Sequence, residues 1–396
     1  MTEAFTGISE LVSPRPGPQR RPVQLLRTVD AALLVREGQV IWVGPRKELP
    51  PGADAVSDLG WKAVIPGLTD PHTHLVWAGD RLGDFERRHA SAAQDLSAAT
   101  AQGIAHTQRC TARAPEDELL SLAGQRLLAL LRSGTTTVEI KTGYGGDARS
   151  ELRLLAAIRA LQRRWPGRLL ATLLFHLPMS EAEQRELLQG ALGLAQAADV
   201  YCERGAYSVR EAERLLGWAK QLGYPLKLHA DQYSASGASE LAVRVGALSA
   251  DHLEASGPEQ VALLAASQAV CTLLPAASLE LGLAPAPAGA LLGGGAVLAL
   301  GSDLNPGSAP CYGMQLAGAL ALRSYPIALE ETLAACTVNA AAALGLRDRG
   351  ALVPGQLADF LVLQGPDWRE LFYPLGQSPV ERVYLAGVQL GRLLGG

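Results

Sequence analysis

The run Trp61-Lys-Ala-Val-Ile-Pro-Gly-Leu-Thr-Asp-Pro-His-Thr-His-Leu-Val76 decides how the chain is read. Val64 and Ile65 are apolar and stop at Pro66 and Gly67. A short apolar run bounded by turn residues predicts a buried strand. His72 and His74 follow, two positions apart. In extended backbone, positions i and i+2 point to one face, so both imidazoles can reach one metal ion without distorting the chain. A His-x-His by itself is equally at home as two polar residues in a turn. This one stands directly after a strand and has His229 and Asp303 downstream to match it.

Beyond the Val64 strand, β-like and helix-like segments alternate. The β-like ones are Thr135 to Ile140, Leu169 to Phe175, Asp199 to Glu203, Leu226 to His229, Leu248 to His252, Val270 to Leu274 and Val297 to Leu300, which with the first makes eight. Between them the apolar residues take helical spacing. Leucines recur on one side of Glu116 to Arg132, with Gly134 as a stop. Ser208 and Glu211 form a capping box that opens a helix through Lys220, with Gly223 beyond it, and Ser256 with Glu259 offers a second such start. Eight strands alternating with helices predict an α/β fold, a (β/α)8 barrel over residues 63–352. A doubly wound open sheet is the competing architecture, but no Gly-x-Gly-x-x-Gly follows the first strand.

The two ends of the chain read differently. Ala32 to Gly44 predicts two strands joined by a turn at Glu37-Gly38, and Arg15 to Pro22 is an exposed Pro- and Arg-rich loop. Leu357 to Leu363 and Val380 to Gly387 are strand-like as well. Residues 1–62 and 353–396 are therefore expected to form the two parts of one small β domain outside the barrel.

Composition narrows the class. The chain has 396 residues, 48% hydrophobic and 19% charged, with a net charge of −4, which describes a folded globular protein. No basic stripe points to nucleic acid, and polar or charged residues interrupt every Leu/Ala-rich window, so no membrane span is expected. Cys110, Cys202, Cys271, Cys311 and Cys336 are scattered, odd in number and without a Cys-x-x-Cys, which argues against a disulfide framework or thiolate zinc site and fits the cytoplasm. The N-terminus lacks the apolar core of a signal peptide.

In a barrel, the C-terminal ends of the strands converge on one mouth. The strand ends here carry His72 and His74, Lys141 to Tyr144, His176, Glu203, His229, His252 and Asp303. His89 and His106 fall in the long first crossover and are read as surface or packing residues. Three imidazoles and a carboxylate suit Zn²⁺ or iron, which accept N and O ligands. Such an ion lowers the pKa of a bound water to about 7. Asp303 can take that water's proton, and His252 can hydrogen-bond the water or a developing oxyanion. The alternative for His252 is a histidine that merely orients a ligand.

At these residues the chain resembles the amidohydrolase superfamily, and within it the enzymes that open an imidazolone ring in histidine degradation. Pro66 to His74 marks the superfamily. The closer likeness rests on Gly134-Thr-Thr-Thr-Val-Glu-Ile-Lys-Thr-Gly-Tyr-Gly145, Leu226-Lys-Leu-His-Ala-Asp-Gln232, Ser249-Ala-Asp-His-Leu253 and Ser302-Asp-Leu-Asn-Pro-Gly-Ser308, with Thr337-Val-Asn-Ala-Ala341 and Gly355-Gln-Leu-Ala-Asp359 beyond. The resemblance implies a (β/α)8 barrel with a small β-sandwich domain built from both termini. It implies one Zn²⁺, Fe²⁺ or Fe³⁺ per chain, held by His72, His74, His229 and Asp303, and a small-molecule substrate contacted by Arg81, Tyr144, His176, Gln232, Asn305, Gly307 and Ser308. It also makes a homodimer plausible. Asp303 and His252 are the expected catalytic pair.

Superfamily members that bridge two metals use a lysine after strand four. This strand ends in Tyr201-Cys-Glu203, which favours one metal and leaves Glu203 as a possible bridge. Arg81 suits a carboxylate, because guanidinium binds one bidentately, or is a solvated surface arginine. Two departures touch substrate preference. A family Gly-x-Ser-Tyr is Ala90-Ser-Ala-Ala93 here, and a Pro-Pro-Glu is Leu177-Pro-Met-Ser180. The competing functions are another amidohydrolase, such as an aminoimidazole or guanine-type deaminase, and a barrel that binds without catalysis.

Overall fold

The computed structural model describes residues 1–90 and 96–393, with side chains outside 91–101 and 392–396. Its strands are, in chain order, β1 (Thr2–Pro14), β2 (Leu25–Arg36), β3 (Gln39–Pro45), β4 (Ala55–Pro66), β5 (Leu68–Asp70), β6 (Thr135–Lys141), β7 (Arg168–Phe175), β8 (Ala197–Cys202), β9 (Leu226–Ala230), β10 (Ser249–His252), β11 (Val270–Leu273), β12 (Leu298–Leu300), β13 (Phe360–Leu363), β14 (Val380–Leu385) and β15 (Val388–Gln389). Strands β5 to β12 form one parallel sheet in sequential order, with helices in the crossovers. The first and last of these strands close the barrel beyond their own ends. Asp303 N–H donates to His72 C=O at 3.0 Å, and His74 N–H to Leu304 C=O at 2.9 Å. The seam of the barrel is thus made by the two segments that carry His72, His74 and Asp303.

The first barrel strand is not the Val64–Ile65 run. That run ends β4, which lies in the second sheet between β1 and β13, and so carries the N-terminal part of that sheet past residue 62 to Pro66. The chain changes sheets at a single residue. Gly67 N–H donates to Asp359 C=O of the second sheet, and Leu68 N–H donates to Gly134 C=O of the barrel. A Cβ on Gly67 would stand 2.4 Å from Thr136 Oγ1, so only glycine allows the two sheets to meet this closely. Both β4 and β5 are buried at the crossing, and apolar patterning cannot assign either to its sheet.

The second sheet has the order β15-β14-β13-β4-β1-β2-β3 and joins both termini. Its seven strands are hydrogen-bonded as one sheet. Its own core holds Phe5, Leu33, Val64, Phe360 and Tyr384, and Val40 of β3 reaches across to hydrogen-bond Gly355 and Gln356 just before β13. The β2–β3 hairpin turns at Glu37 and Gly38, both left-handed, as a tight two-residue turn requires. The helix Glu116–Arg132 and the helix Val209–Gln221 with its Ser208–Glu211 capping box form as the sequence predicts. The helix Pro258–Ala266 starts one residue later than Ser256 would set it. Gly257 is its cap, with Gln260 accepting from the Gly257 N–H, while the Ser256 hydroxyl bonds Asp231. Among the described residues no helix is long and apolar enough to cross a membrane, and all five cysteines are free.

Candidate metal centre and active site

The ligand-type side chains come from the ends of barrel strands or the first residues beyond them, where regular hydrogen bonding stops and side chains are free to turn inward. His72 Nδ1 lies 2.7 Å from Asp251 Oδ2, and His229 Nδ1 lies 3.1 Å from Asp199 Oδ1. A carboxylate accepts, so each ring carries its proton on Nδ1 and presents a bare Nε2. Those nitrogens meet. His72 Nε2 and His74 Nε2 stand 3.5 and 3.4 Å from the same Asp303 oxygen, and His229 Nε2 is 3.4 Å from His74 Nε2. His72 Nε2 is buried without a hydrogen-bond partner. A single proton on His74 Nε2 can serve only one of its two neighbours, His229 Nε2 or Asp303, and the His72 Nε2 lone pair is left with no donor. A cation among them satisfies these atoms together. Tetrahedral sites with bonds near 2.0–2.1 Å separate their ligand atoms by roughly 3.3 Å, the spacing seen here. Burial, reinforced by the Lys141 ammonium, holds His72 and His229 well below the usual histidine range, which keeps them in the neutral ligating form.

Beneath the cluster lies a buried charge network. Lys141 Nζ is 2.6 Å from Asp199 and 2.8 Å from Glu139, and Lys227 Nζ is 3.2 Å from Glu139. Both lysines also face Asp251, at 3.5 and 3.9 Å. Alternate strands thereby hold the two carboxylates that orient His72 and His229. Sequence reading placed Lys141 at a strand end but found none of Glu139, Asp199, Lys227 and Asp251. Their only signal was a charge inside an apolar strand.

His252 lies on the same floor, with its ring centroid 5.5 Å from that of His72 and 5.4 Å from that of His229. Burial pushes its imidazole down, but the Glu254, Asp303 and Asp251 carboxylates together outweigh this and the net shift is upward. Asp231, His252, Leu253 and Asp303 all have positive φ, a cluster of strained backbone of the kind found at functional sites.

Above the floor opens a cavity of about 900 Å³, bordered by His74, Tyr144, His176, Tyr201, His229, Gln232, His252, Asp303, Asn305, Gly307 and Ser308, with Arg81 in its wall. All the substrate contacts expected from the sequence therefore reach one space. His74 and His176 stack at 5.5 Å. Tyr144 is carried by a loop whose Gly143, Gly145 and Gly146 N–H groups all donate to Glu151; a Cβ on Gly145 would come within 2.5 Å of the Glu151 backbone nitrogen. Burial raises the Tyr144 phenol, keeping it a donor. Asn305 folds its own turn, accepting from the Gly307 and Ser308 N–H groups at 2.8 Å each. Tyr201, which the sequence reading passed over, donates its hydroxyl to Gln232 Oε1 at 3.0 Å and so fixes which end of the amide is committed.

Arg81 is buried and not a surface residue. It pairs with Asp84 and lies against two glycines, since a Cβ on Gly103 or Gly307 would fall within 3 Å of the guanidinium. Glu203 does not join the metal cluster. Its oxygens accept from the N–H groups of Arg204, Tyr233 and Ser234 and from the Ser234 hydroxyl, which turns them into the loop after β9. His106 and His89 are both exposed, as their reading as surface residues expects; His106 also borders the cavity, and His89 lies on the helix Leu82–Ala90. Leu177 to Ser180 do not line the cavity; Ser180 caps the helix Glu181–Gly190, and Leu177 and Met179 bond the Tyr207 hydroxyl. The Ala90–Ala93 departure falls at residues 91–93, outside the described residues.

Comparison with known proteins bears on this site. A family model described as "Amidohydrolase family" matches residues 77–388. An imidazolonepropionase of Deinococcus radiodurans is 52% identical over 98% of this chain and 99% of its own length. Among solved structures, a triazine hydrolase variant superposes with a TM-score of 0.78 at 18% identity, covering 98% of this chain and 94% of that one. A zinc-bound adenosine deaminase from Xanthomonas campestris gives 0.72 at 19% identity, over 98% and 92%. The latter two share the fold; the full-length identity to the Deinococcus enzyme goes further, and the chain belongs to the amidohydrolase family and, within it, to the imidazolonepropionases.

Proposed function

We propose that this chain hydrolyses 4-imidazolone-5-propanoate, adding water across the ring C–N amide bond to give N-formimidoyl-L-glutamate. The observation that carries the reading is identity to an imidazolonepropionase along the whole chain. The convergence of Arg81, Tyr144, His176 and Gln232 on a buried His/Asp floor supports it. The deaminase alternative is less supported, because the amidohydrolase relatives of that type are matched at the level of fold alone. An assay that follows loss of ring absorbance decides between them: ring opening releases no ammonia and deamination does.

His72, His74, His229 and Asp303 would hold one divalent ion, Zn²⁺ or Fe²⁺. The ion, when bound, acidifies a water and polarises the ring carbonyl. The chain's own groups do the rest. Arg81 takes the propionate as a bidentate carboxylate partner and sets the ring over the floor. Gln232, its Oε1 committed to Tyr201, donates through its amide N–H to a ring acceptor. Asp303 accepts the proton of the attacking water and returns it to the ring nitrogen as the C–N bond breaks. His252 accepts a hydrogen bond from the attacking water and holds it against the carbonyl carbon.

Elemental analysis of the purified protein is expected to find one transition metal per chain, since the strand-four end supplies no lysine and Glu203 is turned away. Two metals at full occupancy would overturn the single-ion reading. Arg81→Met is expected to lower kcat/KM by about ten- to a hundredfold, the equivalent of ~1.5–3 kcal/mol for a lost charged hydrogen bond, with metal content unchanged. Parent-like kinetics would remove Arg81 from the substrate site.

A further inference from the structure

One buried acid near the floor has no part in this scheme. Glu254 stands two residues beyond His252 and is 3% exposed at its side chain, as is His252. Its Oε1 accepts from the Ser278 hydroxyl at 2.7 Å. Its Oε2 has no hydrogen-bond partner, and 3.6 Å away lies His252 Nδ1, which has none either. We propose that Glu254 is a positioning residue: its Oε2 is the acceptor for the Nδ1–H of His252, which commits the bare imidazole Nε2 to the cavity.

Each orphaned atom is the counterpart the other lacks. An ionised carboxylate only accepts, and a neutral imidazole has one donor and one acceptor nitrogen. A bare Nδ1 facing Oε2 would set two lone pairs against each other in a buried site. With the proton on Nδ1, the contact is attractive and the tautomer is fixed. At 3.6 Å the pair is longer than a hydrogen bond, and contacts of this kind shorten when the reacting complex forms. An imidazole polarised as its Nε2 accepts from the attacking water would draw the carboxylate closer.

The backbone supports the same reading. His252 and Leu253 have φ of 83° and 73°, two successive left-handed residues that break the strand directly after the histidine. This costly conformation is held by Leu253 N–H donating to Ala230 C=O at 3.0 Å and Ala255 N–H to Asp231 C=O at 2.7 Å. Asp231 is in turn fastened by the hydroxyls of Ser239 and Ser256. The kink leaves Glu254 beside the histidine ring instead of further along the barrel wall. A purely structural role, tying this loop to the helix Pro275–Leu281 through Ser278, accounts for one carboxylate oxygen and leaves the other without a reason to be buried.

The inference rests on His252 acting on the attacking water, and the test separates the two. Metal-loaded Glu254→Met is expected to lose about ten- to a hundredfold in kcat with KM within about twofold of the parent and metal content unchanged. Glu254→Gln, which keeps an acceptor, should lose less, about three- to tenfold. Either substitution should cost nothing further in a His252→Asn background, because groups that act as a unit are non-additive. A slow His252→Asn beside a parent-like Glu254→Met would overturn this inference alone, as would losses that multiply in the double variant. His252→Asn at the parent rate would overturn the reading of His252 and this inference with it. Should Glu254→Met not fold, Glu254→Gln decides: no loss in kcat sinks the proposal.

Discussion

Asp303→Asn is expected to lower kcat by about 10²- to 10⁴-fold and to weaken metal binding, while His252→Asn lowers kcat on the same scale and leaves the metal in place. The two residues differ in what they touch. Asp303 contributes an oxygen that lies within 3.5 Å of both His72 Nε2 and His74 Nε2, and its backbone N–H closes the barrel seam onto His72. Exchanging this anionic oxygen for a neutral amide removes a charged ligand of the cation and the proton acceptor at once. His252 borders the cavity and shares the floor, but two carboxylate-backed histidines, His74 and Asp303 remain without it. Gln232→Glu is the control. It replaces a group committed through Oε1 to Tyr201, and activity should survive with a changed pH profile, since a new titratable group enters. Metal content and kcat measured at several pH values test the set. A His252→Asn enzyme near the parent rate together with a dead Gln232→Glu would show that proton transfer runs through residue 232.

Lys141→Met should destabilise the fold by about 3–5 kcal/mol, the cost of leaving buried charges without their partner. The network pairs Glu139, Asp199 and Asp251 with Lys141 and Lys227, all buried. Removing Lys141 sets three carboxylates against one ammonium. The ammonium itself is held protonated: burial pushes it down, but Asp199, Glu139 and Asp251 together raise it above the usual lysine range. Because Asp199 and Asp251 are the acceptors for His229 and His72, the loss should reach the metal as well, by about 10- to 100-fold in affinity. Denaturant unfolding of the metal-free protein reads the first effect, and a chelator competition reads the second. An unchanged unfolding midpoint with unchanged metal affinity would make the network a passive filling of the barrel interior.

These two experiments probe different depths of the same design. The upper layer, with its imidazoles and Asp303, meets the substrate and was found from strand ends. The lower layer faces no cavity and does its part through hydrogen bonds to the histidines.

What the sequence determined by itself was the alternation of strands and helices, the chain order of the ligand-type residues, and the two terminal β segments. These follow from local causes: apolar runs, capping pairs such as Ser208 and Glu211, and glycines at turns. It also determined the family, because Lys141 to Gly145 and Asp303 to Ser308 stand as intact motifs. Tertiary structure alone decided which sheet each strand joins. Val64 and Leu68 look alike as apolar residues, and only the hydrogen bonds of Gly67 and Leu68 to different sheets separate them. It also decided which polar residues act together. Asp251 and His72 are distant in the chain and 2.7 Å apart in space, and Glu203, placed by its sequence at the mouth, is turned away by the loop it binds. A charge inside a strand carries no local mark of its partner, because that partner arrives on another strand and is chosen by burial and by the need of every buried charge for a counter-charge.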